Sequence, residues 1–268
     1  MIRDITLGQY YPSGSVLHRL DPRTKFIGTL IFIVSVFLFR RVPGYAVATL
    51  FLGAMIVISR VPVKFIFKGL KAIFVILLFT AAFNILLTPG ETVLWKWKFL
   101  TVTKEGLVLA ARMAVRLVYL VIGSSLMTLT TTPNQLTDGL ERLLRPLNRI
   151  HVPVHEISMM MSIALRFIPI LLEETDKIMK AQIARGADFE KGNIIQKAKN
   201  MVPLLVPLFI SAFRRANDLA MAMEARCYHG GDHRTQMKPL KYSRLDVIAY
   251  VILAAYLAVA ILFRVLGL

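Results

Sequence analysis

The sequence predicts an all-α integral membrane protein with about five transmembrane helices and a cytoplasmic coupling domain of long crossed helices. Three observations carry that expectation. Of the 268 residues, 56% are hydrophobic and 18% charged, a more apolar balance than the ~45–50% usual in soluble domains. The apolar residues gather into uncharged runs at 26–39, 45–59, 72–87, 117–132 and 247–263. The 33 lysines and arginines, set against 16 acidic residues, fall mostly between those runs. Disorder is excluded, because disordered chains are poor in such side chains. A disulfide scaffold is excluded too, since Cys227 has no second cysteine to pair with. A basic nucleic-acid binder fits badly, so no nucleic acid is expected as a partner.

Residues 1–20 carry Arg3, Asp4, Gln9, His18 and Arg19 and lack the apolar core of a signal peptide. The first spans are therefore expected to be retained. Each run has 14–17 residues, slightly under the ~20 that cross the hydrocarbon core. Snorkelling lysines and arginines at the flanks extend them. Pro43-Gly44 separates the first two runs and Pro89-Gly90 ends the third. Two further stretches, 157–172 and 201–213, compete as spans. Arg166 and Pro169 interrupt the first, Pro203 and Pro207 the second. Both continue into charged helical segments and are read as lying mostly outside the lipid; otherwise the count rises to six or seven.

Orientation follows the cations. With five spans, residues 1–25, 60–71 and 131–244 share one side and hold 4, 4 and 17 lysines and arginines. That side is expected to be cytoplasmic, with the N-terminus inside a cell membrane. The domain organisation expected is 1–132 for the first four spans, 133–243 for the coupling helices and 244–268 for the last span. Topology and anionic lipid then account for the net charge of +17.

The cytoplasmic segment is the informative part. Thr132-Pro133 suits the start of a short helix running to about Arg149. A long helix is expected from near Pro153 to Ile183, and another from about Asn193 to Met223, both with apolar residues recurring at three and four. At 1.5 Å per residue each is roughly 45 Å long, bent near Pro169 and near Pro203 and Pro207. Both end alike: Ala184-Arg185-Gly186 closes one and Ala225-Arg226-Cys227 the other, with the arginines 41 residues apart. A cation and a glycine at a helix end are ordinary capping. Two helices ending in the same small-Arg-small triplet suggest more, namely two equivalent sockets on a partner. Alanine lets a helix tip enter a narrow groove, and a guanidinium pairs bidentately with a carboxylate inside.

With these residues the chain resembles the transmembrane T component (EcfT) of energy-coupling factor transporters. The two triplets carry the likeness, supported by Leu17-His18-Arg19-Leu20-Asp21-Pro22-Arg23-Thr24-Lys25 ahead of the first span. The likeness runs over essentially the full length. It implies that the two motifs insert into grooves of two ABC ATPase subunits, as a homodimer or heterodimer. It also implies that the coupling helices hold one membrane S component, possibly exchangeable, that captures a vitamin or metal ion. Cys227 stands where the family commonly has glycine.

The chain contains no G-x-x-x-x-G-K-[ST], so ATP coupling requires another subunit to bind nucleotide. The chain is accordingly expected to be non-catalytic, with no cofactor. Met159, Met160, Met161, Met179, Met201, Met221 and Met223 lie on the two long helices. Core filling is one reading; an adaptable surface for the S component, involving Met160, Met161 and Met221, is the other. Arg112 and Arg116 are expected to snorkel to the outer interface, Lys96-Trp97-Lys98 to anchor there, and Asn84 to bond between helices. Cys227, His229, Asp232 and His233 fit no common zinc spacing, so no metal site is expected. An integral membrane enzyme, such as a lipid-processing transferase, and a stand-alone secondary carrier remain as alternatives. Neither clustered acids or histidines at a membrane face nor broken helices within the spans support them.

Overall fold

The structure is a computed structural model describing residues 10–39, 41–89, 92–97, 100–189, 193–230, 237 and 239–266. In chain order it forms α1 (Val16–Arg19), α2 (Pro22–Leu38), α3 (Val42–Ser59), α4 (Val63–Leu87), β1 (Val93–Trp97), β2 (Leu100–Thr103), α5 (Lys104–Thr130) and α6 (Pro133–Leu144). A 3₁₀ turn (Arg145–Ile150) leads to α7 (Val154–Ala184), α8 (Ile194–Glu224) and α9 (Arg244–Val265). The chain divides into two units, one from Gly8–Gly139 with Leu240–Leu268, the other containing Leu140–Pro239.

The class is that of an all-α membrane protein, with one small exception. Strands β1 and β2 pair antiparallel, Val93 opposite Thr103 and Trp97 opposite Leu100. The alternation Trp-Lys-Trp-Lys over 95–98 is the period-two pattern of a strand, where the sequence suggested only an interfacial anchor. Lys98 lies outside the described residues.

Helices α3, α5, α7 and α9 are long and apolar enough to cross a membrane. Helix α4 makes a fifth if its halves, Val63–Lys71 and Ile73–Leu87, bent by 57°, count as one span. Helix α2 has 17 residues, about 25 Å, and is short for a ~30 Å core. The stretch 157–172, left open by the sequence as a competing span, lies in α7, which has the length and composition to cross a membrane. Its charges concentrate from Glu173 to Lys180, which leaves its first half apolar enough to span. The third span also begins earlier than its apolar run. Lys64, Lys68 and Lys71 recur at helical spacing along one face of α4, while Ile66 is buried.

In the first unit, Phe32 and Val36 of α2, Leu52 of α3, Leu126 of α5 and Tyr256 of α9 form one core. The Phe51 and Tyr256 rings stack at 4.2 Å between centroids, and the Tyr256 hydroxyl meets the Ser35 hydroxyl at 2.7 Å. Gly123 admits the Phe32 ring, because a Cβ there would lie 2.8 Å from it. The Arg116 guanidinium packs against the junction of α2 and α3. It donates to the Phe39 carbonyl (3.4 Å) and the Tyr45 hydroxyl (3.2 Å) and lies over the Phe37 ring. Asn84 donates to Thr80 of its own helix at 2.7 Å rather than across to another.

The segment Leu17–Lys25 is a structural knot. Asp21 caps α2, accepting from the Arg23 backbone N–H (2.9 Å) and its Nε (3.1 Å). Lys25 Nζ donates to the carbonyls of His18 (3.2 Å) and Thr130 (2.8 Å), closing the ends of α1 and α5. Buried Asp246 accepts the Asp21 backbone N–H (2.8 Å) and both the Ser243 backbone N–H and hydroxyl (2.7 Å each). Ser243 and Asp246 thereby form a capping box at the start of α9. Asp246→Ala leaves buried donors without an acceptor and removes that cap, for about 3 kcal/mol in all. The thermal midpoint of the purified chain should fall clearly, and less for Asp246→Asn, which keeps one acceptor oxygen. Equal midpoints for Asp246→Ala and the parent would refute this role.

Candidate functional site

The two long helices of the second unit have the same length, 31 residues each, and the same ending. In α7 the Gly186 N–H donates to the Ile183 carbonyl (2.9 Å) and the Ala187 N–H to the Gln182 carbonyl (3.0 Å). In α8 the Cys227 N–H donates to the Glu224 carbonyl (2.9 Å) and the Tyr228 N–H to the Met223 carbonyl (3.1 Å). Each bond of one set maps onto its counterpart through the same 41-residue offset that separates Arg185 from Arg226. The chain leaves both helices through a left-handed residue, Gly186 at φ 88° and Cys227 at φ 57°. Glycine takes that conformation freely, whereas a residue with a Cβ is strained there. That Cys227 adopts it shows that the second exit follows the geometry of the first despite the substitution.

Ala184, Arg185 and Gly186 are exposed, as are Ala225, Arg226 and Cys227. Among the described residues neither guanidinium has a hydrogen bond or an ion pair. Each tip therefore presents a free planar cation beside an alanine, a shape suited to a carboxylate in a narrow recess.

The helices run antiparallel where they touch. Gln182 Nε2 donates to the Pro203 carbonyl at 3.2 Å, and Arg215 Nη2 to Glu174 Oε2 at 3.2 Å, so moving forward along α7 means moving back along α8. The arginine triplets thus sit at opposite ends of the pair and do not converge on one site. Between the helices lies a groove of about 300 Å³, lined by Ile163, Phe167 and Leu171 on one side and by Ala212, Ala216, Leu219, Ala220 and Met223 on the other. Where α7 begins, His155 Nδ1 meets Glu141 at 2.9 Å and the Ser158 hydroxyl donates to the same carboxylate at 3.1 Å.

Met160, Met161 and Met221 are exposed, while Met223 lines the groove. A second apolar strip runs along α8. Met201, Leu205, Phe209 and Phe213 are exposed along α8, and the last two rings lie 4.9 Å apart. Their i, i+4 spacing in the sequence puts them on one helical face. Of the residues weighed as a metal set, His229 Nδ1 bonds the Cys227 carbonyl at 2.8 Å, and Asp232 and His233 lie outside the described residues.

Residues 13–237 match the family model described as Cobalt transport protein, CbiQ. Three similar proteins each bear the name Energy-coupling factor transporter transmembrane protein EcfT. That of Clostridium kluyveri is 58% identical over 266 residues, covering 99% of this chain and 98% of its own. That of Ruminiclostridium cellulolyticum is 56% identical over 262 residues, covering 98% of each. That of Bacillus subtilis is 48% identical over 260 residues, covering 96% of this chain and 98% of its own. With a family model matched over most of its length and relatives matched nearly end to end, the chain belongs to the CbiQ cobalt transport protein family and, within it, to the EcfT transmembrane components of energy-coupling factor transporters.

Proposed function

We propose that this membrane subunit carries motion from two ABC ATPase subunits to a membrane S component that captures a vitamin or metal ion. Arg185 and Arg226 each enter an acidic groove on one ATPase. The two ATPases hydrolyse the ATP, and this chain performs no chemistry. The methionine-bearing surface of α7 and α8, with Met160, Met161 and Met221, receives the S component. The N-terminus and the coupling helices lie in the cytoplasm, where ATP is available.

The observation that supports this reading most is the duplicated helix end. Equal helices, two matching closing hydrogen bonds at each end and left-handed exits hold two free guanidinium groups in equivalent settings. One such end is ordinary capping, but a matched pair fits a paired receptor. The lack of a phosphate-binding loop in the sequence agrees with nucleotide being held elsewhere.

The native thiol supplies the test. Cys227 is the only cysteine in the chain, is exposed, and follows Arg226 directly. Adding the ATPase pair to the purified chain in lipid nanodiscs should slow maleimide labelling of Cys227 at least roughly tenfold, because a docked tip excludes the reagent. An unchanged labelling rate with the ATPases bound would place their docking surface elsewhere.

A further inference from the structure

We infer that Glu174 and Arg215 are positioning residues that pin α7 to α8 at the midpoint between the two arginine tips, forming the pivot of an equal-armed coupling device. The inference rests on the docking reading above and adds the fixed point about which the tips move.

Three observations meet at this pair. Glu174 lies eleven residues before Arg185, and Arg215 eleven residues before Arg226. The ion pair therefore joins equivalent positions of the duplicated helices and leaves arms of about 16 Å on each side. Because the helices are antiparallel, the arms point in opposite directions from the pin, and straight helices would separate the tips by roughly 33 Å. Any other contact point on the pair would give unequal arms.

The pin is directional and its surroundings are slack. A guanidinium–carboxylate bond of 3.2 Å fixes register, although its partial exposure makes it a minor source of stability. Beside it, Ala212, Ala216 and Ala220 recur every four residues along α8 opposite Ile163, Phe167 and Leu171, and the groove between them is unfilled at about 300 Å³. The groove is open to the surroundings, and none of the residues lining it is buried. A small-residue stripe facing large side chains across an open groove lets two helices rock without breaking a packed layer, provided one point keeps them from sliding. Glu174 and Arg215 supply that point as a charged pair, whereas the other bond described between the helices, from Gln182 to the Pro203 carbonyl, is uncharged and exposed.

Spin labels at Lys180 and Met221 read the device. Each position is exposed and lies six residues beyond the pin on its own arm. Cys227→Gly removes the native thiol and suits the left-handed exit. Glu174→Arg and Arg215→Glu should each broaden the Lys180–Met221 distance distribution in the full chain in nanodiscs. In the complete transporter each should lower substrate moved per ATP by about threefold or more, with the ATPases still bound. The combined reversal, Glu174→Arg with Arg215→Glu, should restore both. Unchanged distances and coupling in the single variants, or a combined variant that restores neither, would overturn the pivot. So would loss of the ATPases from the single variants, since the pin is remote from both tips. Failure of the docking reading shows differently: the ATPases would then stay on when Arg185 and Arg226 are reversed, while the distances in the chain alone still report the pin.

Discussion

Replacing Arg185 and Arg226 together by glutamate is expected to abolish both ATPase association and uptake while the membrane helices stay folded. Each arginine is exposed and helps close its helix only through its backbone N–H, while its guanidinium makes no bond among the described residues. Its loss therefore removes little from the fold. At a socket, a charge-assisted contact contributes on the order of 1.5–3 kcal/mol. Two sockets sum to about 3–6 kcal/mol, or at least roughly a hundredfold in affinity before the repulsion of two introduced carboxylates is added. Co-purification in mild detergent measures association, circular dichroism the helical fold, and substrate uptake the coupled function. An intact complex with normal transport in the double variant would sink the docking proposal. Each single variant should retain one socket and lose less than the pair.

Inserting Gly-Gly after Lys177 is expected to yield a complex that assembles and hydrolyses ATP without transporting. The insertion falls between Glu174 and Arg185, within the stretch of α7 that follows Pro169. A lever must be stiff between its pivot and its tip, and that stretch is uninterrupted helix. Two residues advance the tip by about 3 Å and turn it by about 200°, and each glycine costs the helix about 1 kcal/mol relative to alanine. The resulting flexible joint lets Arg185 find its socket again while breaking the mechanical link. Ala-Ala at the same place keeps the helix stiff but turns the arginine away, so it should weaken docking instead. ATPase activity and uptake measured on the same preparation separate these outcomes. Transport at the parental rate with Gly-Gly in place would rule out rigid coupling through this helix.

The sequence by itself determined the helical membrane class, the two long helices and their matched endings. Each of these follows from short-range information. A long run of uncharged apolar side chains favours lipid through its own composition, and a 3.6-residue periodicity or an Arg-Gly exit is local in the chain. The alternation at 95–98 is equally local, but so short a stretch reads as well as an interfacial anchor. What only the tertiary structure decided depends on partners far apart in sequence. Arg116 could be placed against the Phe39 carbonyl and the Tyr45 hydroxyl only once α5 was packed beside the junction of α2 and α3. Asp246 meets the Asp21 backbone across 225 residues, a contact no periodicity announces. The antiparallel run of α7 and α8, and with it the meeting of Glu174 with Arg215, was equally hidden. In sequence those two residues are only members of charged stretches on separate helices. Helical spacing fixes which face a side chain occupies, but register between helices is set by packing, and packing is a property of the whole chain.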